Sequence, residues 1–536
     1  MLPNRPPLKD WTATPFDVII IGGGINGAGI ARDAALRGFR VALFERSDYA
    51  FGTSSRSSKL AHGGVRYLEQ GHLPLVFEAS QERQTLLRIA PHLVRPLPFL
   101  FPVYRGSRWG IFFLDLGMWL YDLLSLSRNI RPHRMLGRKE TLRLEPDLLS
   151  EGLTGAALFY DGQMDDARLC LANVLEAREL GASVRNYTAV TGLVDDANGR
   201  IAGVRVRDRI NGEEATVRGS VVVNAAGPWV DEVGRMESPE AHPKLRKTRG
   251  SHLILPSLTN GHALVIRSVK DDRVLFVIPW NGMSLVGTTD IDFDGDPGDV
   301  HCPPDDLDYL IREARRFFPK RDIGPGQVIA TFAGVRPLIP SGQAKASEVS
   351  REEKIEQSPA GLISITGGKF TTYRRIAETV VDRIRKRLPD VAAGPCTTRS
   401  RPLWGGDIGD LEAYINEQTP ELIRRHSLDA AQVKHLIMTY GTRHLHLLKL
   451  LGENRGWGDR LHPSLPHLKA EVIHAVRREA AVALSDFLRR RTQIALGPHR
   501  RDERLLENAV TLMASALKWS PEEAERQKIE YLAEIL

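Results

Sequence analysis

The 536-residue chain carries 73 Lys and Arg against 66 Asp and Glu, for a net charge of +7, with 42% apolar and 26% charged residues. That length is more than one compact core holds and predicts two or three domains of ordinary soluble composition. The basic balance, without a helix-turn-helix, zinc-finger or RNA-binding signature, excludes nucleic acid as the expected partner and leaves an anionic substrate or a membrane surface.

The first residues, MLPNRPPLKD, hold prolines where a secretory signal needs an apolar run, so no targeting segment is expected. Residues 16–21, FDVIII, read as a parallel strand covered on both faces. A helix over 25–37 and a second strand over 40–44, ending in Glu45, complete a βαβ unit in under 35 residues. Between strand and helix lies Gly22-Gly23-Gly24-Ile25-Asn26-Gly27, a G-x-G-x-x-G turn. Gly22 makes the turn, Gly24 lets the backbone approach a pyrophosphate, and Gly27 lets helix and strand pack closely. The helix N-terminus offers unpaired N–H groups to the phosphates. Glu45, 18 residues beyond Gly27, is placed to accept hydrogen bonds from the adenosine ribose. An acid there favours NAD or FAD over NADP, and the turn alone does not separate the first two.

Residues 109–126, WGIFFLDLGMWLYDLLSL, form the most apolar stretch, but Asp115 and Asp122 within it exclude a membrane-spanning helix. Arg105, Arg108, Arg128, Arg131 and Arg134 flank it, as in a helix lying in a membrane interface. A buried helix with paired aspartates is the equal alternative. Strand-like runs at 201–206 and 220–223 surround a turn at Arg209–Glu213, and residues 250–290 alternate as an antiparallel sheet. The buried-strand pattern returns at 361–366, before a helix over 370–388, so the first domain is discontinuous. The expected division is 14–75, 150–235 and 355–395 for the nucleotide-binding domain, 76–149 and 236–354 for a substrate or cap region, and 396–536 for an all-helical C-terminal domain. The turns in VVVNAAGPW (221–229), with Ala226 and Gly227, and in GLISITGGKFTTYR (361–374), with Gly368, would reach the carboxyl ends of the strands, where a cofactor sits. Cys170, Cys302 and Cys396 are far apart, which argues against a disulfide framework and a zinc site and fits a reducing compartment. No metal is expected. The arginine runs at 489–491 and 500–501 read as solvated faces.

Several blocks carry more than general physics. IIIGGGINGAGIARDAALRG, TSSRSSKLAHGGVRYLE (53–69), DDARL (165–169), NAAGPW (224–229), GSH (250–252), FVIPW…VGTTD (276–290), GVRPL (334–338) and GGKFTTYR (367–374) resemble, in order, the flavin-dependent sn-glycerol-3-phosphate dehydrogenases. The resemblance implies an α/β fold with a discontinuous glutathione-reductase-type FAD-binding domain on a parallel sheet. An inserted, mostly antiparallel substrate domain and a helical C-terminal domain complete it. It implies FAD as cofactor and oxidation of glycerol 3-phosphate to dihydroxyacetone phosphate. Electrons would pass to a quinone, or to oxygen as in the related oxidases, and the enzyme would sit peripherally on the cytoplasmic face of the inner membrane. An FAD-dependent amine or amino-acid oxidase and a catalytically silent flavoprotein are the remaining alternatives. The oligomeric state stays open, a homodimer included.

By the same resemblance His62 of HGGVRYL is the expected base, with His252 the rival. Arg66, Tyr67, Arg336 and Lys369 match positions around the substrate, where a phosphomonoester needs cations. Ser54, Ser55, Ser58 and Lys59 match the stretch lining pyrophosphate and flavin, although Arg56 interrupts the serines. Lys369, Phe370 and Thr371 are expected to face the cofactor with Gly368.

Overall fold

The computed structural model describes residues 5–64, 72–107, 110–124, 130–240, 242–340 and 352–535. Strand Phe16–Ile21 lies inside a sheet because it is apolar on both faces. Val18 and Ile20 pack with Ala28, Leu43, Val223 and Tyr373, while Ile19 and Ile21 pack with Trp11, Phe44 and Val222. It pairs in parallel with Glu214–Asn224 on one side and Val41–Phe44 on the other. Ile363–Gly367 and Ser183–Arg185 extend the sheet in parallel, and Glu353–Gln357 closes one edge antiparallel. Segments more than 300 residues apart thus share one sheet, as a discontinuous domain requires. Helices Ile25–Leu36, Asp166–Glu179 and Tyr373–Arg387 pack together beside it.

Among the described residues the second sheet has ten strands. Arg246–Pro256, Met283–Gly287, Val274–Trp280 and Ala263–Arg267 run antiparallel, and Ala330–Leu338 pairs antiparallel with the first of these. Ala263–Arg267 joins Val94–Tyr104 in parallel. Residues 153–164, expected with the nucleotide-binding part, instead run antiparallel to Val94–Tyr104 in this second sheet. Their nearly continuous buried pattern suits either sheet, so the sequence carries no mark of which one they join.

The C-terminal part is helical, from Leu411–His426 to Pro521–Glu534. The arginine run read as a solvated face is a correction: Arg490 and Arg491 are buried and bond Asp48, and only Arg489 is partly exposed, against Glu534. Inward placement follows from the buried carboxylates of Asp48 and Asp486 that receive them. Helix Ile111–Leu124 is buried along one side and exposed along the other. Met118 and Tyr121 are buried, whereas Phe112, Trp119 and Leu123 are 73%, 64% and 69% exposed, too much for a core helix. Asp115 and Asp122 both bond the His133 ring, at 2.9 and 2.7 Å. No helix among the described residues is long and apolar enough to cross a membrane.

Candidate active site

A cleft of about 440 Å³ opens where the two sheets meet, at the carboxyl end of strand Phe16–Ile21. Gly22 turns there with φ +110°, a left-handed conformation that favours glycine. A Cβ on Gly27 would stand 1.9 Å from the Gly22 carbonyl oxygen, so only glycine lets the helix start so close to the strand. Ser54 Oγ accepts from Ile25 N–H at 2.9 Å and holds the helix start. Asn26 Oδ1 is buried at the cleft and has no hydrogen-bond partner among the described residues. At the second strand's end, Glu45 accepts from Gly23 N–H at 2.7 Å and Ser47 N–H at 2.8 Å, leaving further lone pairs for a ligand. Burial raises its pKa against those two donors.

The other wall carries the reactive groups. His62 lines the cleft, and its backbone N–H donates to Thr371 Oγ1 at 3.2 Å, tying the histidine loop to the Gly-Gly turn. The next N–H, of Gly63, donates to Asp161 at 3.0 Å, and Asp161 is held by Arg83. His252 stacks on Phe332, with ring centroids 4.7 Å apart, and its Nε2 lies 2.8 Å from Ser58 Oγ. Burial, with Arg336 and Lys59 adding to it, holds the His252 pKa well below 6.5. Arg336 is aimed by three acceptors: Thr289 O at 3.1 Å, Asp290 Oδ1 at 3.0 Å and Thr288 Oγ1 at 3.0 Å. Those acceptors are fixed in turn, because Thr289 Oγ1 donates to buried Asp306 at 2.9 Å.

Gly22, Gly24, Asn26, Glu45, Ser54 and Ser58 all reach the cleft wall, as do Ala226, Gly227, Gly368, Lys369, Phe370 and Thr371. With His62, His252 and Arg336 they form one continuous lining. Gly27 stands behind the turn, as its packing role requires. Neither Ser55 nor Lys59 lines the cleft. The Lys59 amino group is wholly buried against Asp166 at 2.7 Å, so the side chain is held in an ion pair away from the cleft wall. Arg66 and Tyr67 lie outside the described residues. Arg56, read as an interruption of the serine run, is itself on the wall, as are Asp161 and Thr288, which sequence reasoning did not single out. Thr288 sits in the VGTTD block and was within reach of it. Asp161 has no local signal.

A family model described as FAD dependent oxidoreductase matches residues 17–383, and one described as the C-terminal domain of alpha-glycerophosphate oxidase matches 396–524. The glycerol-3-phosphate dehydrogenase of Synechocystis sp. is 38% identical, covering 98% of this chain and 97% of that protein. The aerobic glycerol-3-phosphate dehydrogenase of Staphylococcus aureus is 35% identical over 96% of this chain and 94% of its own. The crystal structure of the Bacillus halodurans glycerol-3-phosphate dehydrogenase complexed with FAD superposes with a TM-score of 0.82 at 31% identity, over 98% of this chain and 96% of that one. Fold and cleft define an FAD-dependent oxidoreductase, and the glycine cradle, the unpartnered Asn26 oxygen and Glu45 suit that cofactor. Within that class, the chain belongs to the FAD-dependent glycerol-3-phosphate dehydrogenase family.

Proposed function

We propose that this enzyme oxidises sn-glycerol 3-phosphate to dihydroxyacetone phosphate and passes the electrons to a quinone at the cytoplasmic membrane surface. The observation that carries the reading is the convergence of His62, Arg336 and Lys369 on the cleft that holds the glycine turn. Bound FAD supplies the hydride acceptor and the route for electrons to leave. The chain's own residues do the rest. Arg336 and Lys369 hold the phosphate dianion, and Thr288 and Asp290 keep the Arg336 fork pointed. His62 takes the hydroxyl proton as hydride departs.

Anaerobic mixing with sn-glycerol 3-phosphate tests this directly: the flavin absorbance should bleach rapidly, and glycerol or glycine should leave it yellow. No bleaching of fully loaded protein would turn the assignment toward amine oxidation or a silent flavoprotein. Arg336→Met should raise KM about 10- to 100-fold while largely sparing kcat, from the loss of charge-assisted hydrogen bonds worth about 1.5–3 kcal/mol. An unchanged KM would remove Arg336 from the phosphate site.

Helix Ile111–Leu124 supports the membrane and quinone parts. Its exposed Phe112, Trp119 and Leu123 make an apolar aromatic face, and the exposed Arg105 and Arg134 flank the helix in sequence, a composition suited to an anionic lipid interface. Beneath it a cavity of about 760 Å³ is lined by Phe113, Leu114, Met118 and Phe101. Phe101 also lines the flavin cleft, so a ring docked there stands one side chain away from it. A Trp119→Ser, Leu123→Ser protein should lose about 2 kcal/mol of apolar transfer, roughly 30-fold in partitioning onto anionic vesicles. Undiminished co-sedimentation would take this helix out of the membrane contact. Flavin reoxidation much faster with a short-chain quinone than with dissolved oxygen is expected, and the reverse order identifies an oxidase.

A further inference from the structure

The helical C-terminal part holds a donor set that alcohol oxidation does not use. We propose that His435, His467 and Glu471 bind one zinc ion or a similar divalent transition-metal cation. His435 is on helix Ala430–Tyr440, and Glu471 is in the first turn of helix Lys469–Glu479, four residues beyond His467 in the preceding loop. One ligand atom from each lies within 4.8 Å of the other two. His435 Nε2 is 3.1 and 3.0 Å from the two Glu471 oxygens, and the His435 and His467 rings have centroids 4.2 Å apart. Zinc with bonds of about 2.0–2.1 Å sets tetrahedral donors roughly 3.4 Å apart. The His435–Glu471 pair is near that spacing already, so His467 closes by about 1.4 Å at most.

A second, independent observation points the same way. His467 is 9% exposed, and its Nδ1 is buried without a hydrogen-bond partner among the described residues. An unsatisfied buried nitrogen is unfavourable, and a metal ion satisfies it. The outer contacts are those of a metal site. Thr439 Oγ1 stands 3.4 Å from His435 Nδ1 and turns Nε2 toward the carboxylate. Leu468 N–H and Tyr440 O–H donate to Glu471 at 2.7 and 3.0 Å and fix the carboxylate's orientation. Two imidazoles and one carboxylate leave a fourth tetrahedral position for water. The bound ion would tie the segment before helix Lys469–Glu479 to helix Ala430–Tyr440.

A neighbouring trio, His462, His499 and Asp502, has a similar spread, but it holds no buried ring nitrogen without a hydrogen-bond partner. His462 Nδ1 accepts from Ser464 N–H at 3.2 Å, and Asp502 caps helix Glu503–Leu517 through Leu505 N–H at 3.0 Å. It therefore serves as the control. The FAD-loaded full chain, stripped with chelator and titrated with zinc chloride, should retain one equivalent of zinc through equilibrium dialysis and melt at a higher temperature. Cobalt(II) in its place should give the intense visible bands of tetrahedral coordination, beyond the flavin band. His467→Asn should lose the equivalent and His462→Asn should keep it. Wild-type protein that retains no zinc overturns the site, as does zinc retained by His467→Asn or lost by His462→Asn. The wild-type titration decides even where a variant fails to fold.

Discussion

Replacing His62 with alanine should leave FAD bound and slow flavin reduction by glycerol 3-phosphate about 10²- to 10⁴-fold, the span that general-base assistance contributes. The backbone around it has its own supports, with His62 N–H on Thr371 and Gly63 N–H on Asp161, so the substitution removes the imidazole and leaves the loop in place. His252 shares the cleft but is a poor proton acceptor. It is buried, it faces Arg336 and Lys59, and its pKa is driven well below 6.5. Its Nε2 is also engaged by Ser58, and one face stacks on Phe332. His252→Asn should therefore alter substrate binding more than the rate at saturation. Stopped-flow reduction under saturating substrate separates the two histidines. Near-wild-type speed for His62→Ala together with a collapsed rate for His252→Asn would exchange their roles.

What the sequence made legible here is local. The both-faced apolar run at 16–21, the glycine turn and Glu45 lie within 30 residues, and each has a backbone reason to be where it is. Arg336 could be found because its block is recognisable. Lys59 was placed by resemblance of its stretch, and the carboxylate that holds its amino group off the cleft wall, Asp166, is 107 residues away and invisible locally. The same distance problem hid Asp161 and turned Arg490 and Arg491 into an imagined solvated face, since Asp48 is more than 440 residues upstream. The metal expectation was argued from cysteines. A histidine–carboxylate set assembled from residues 435, 467 and 471 has no compact spacing to read. Residues 153–164 show a further limit: strand character is visible in a segment, but which sheet receives it is decided by partners elsewhere.

Asp48→Ala should cost about 3–5 kcal/mol of stability, a large part of the about 5–15 kcal/mol that folded proteins possess. Asp48 is fully buried and accepts from Arg490 Nε at 2.5 Å, Arg491 Nη1 at 2.7 Å and Nη2 at 2.9 Å, and Asn186 Nδ2 at 3.1 Å. Removing it leaves two buried guanidiniums with Asp486 and the Glu479 carbonyl as their main acceptors. Because Asp48 is three residues beyond Glu45, the loss falls where the C-terminal helices meet the ribose end of the cofactor site. The denaturation midpoint and FAD retention should drop together. Asp48→Asn, which keeps the shape but not the charge, should fall between the variant and wild type. The pH dependence has a definite sign. Burial alone would raise the Asp48 pKa, but Arg491 and Arg490 outweigh it and leave it below 3.8. The stabilisation is therefore complete above the ordinary aspartate range and is lost as pH falls below 3.8 through the lowered folded-state pKa. A variant that unfolds within 1 kcal/mol of wild type, holding FAD and showing the same acid limb, would mean that the helical part is held by its apolar contacts and not by this ion cluster.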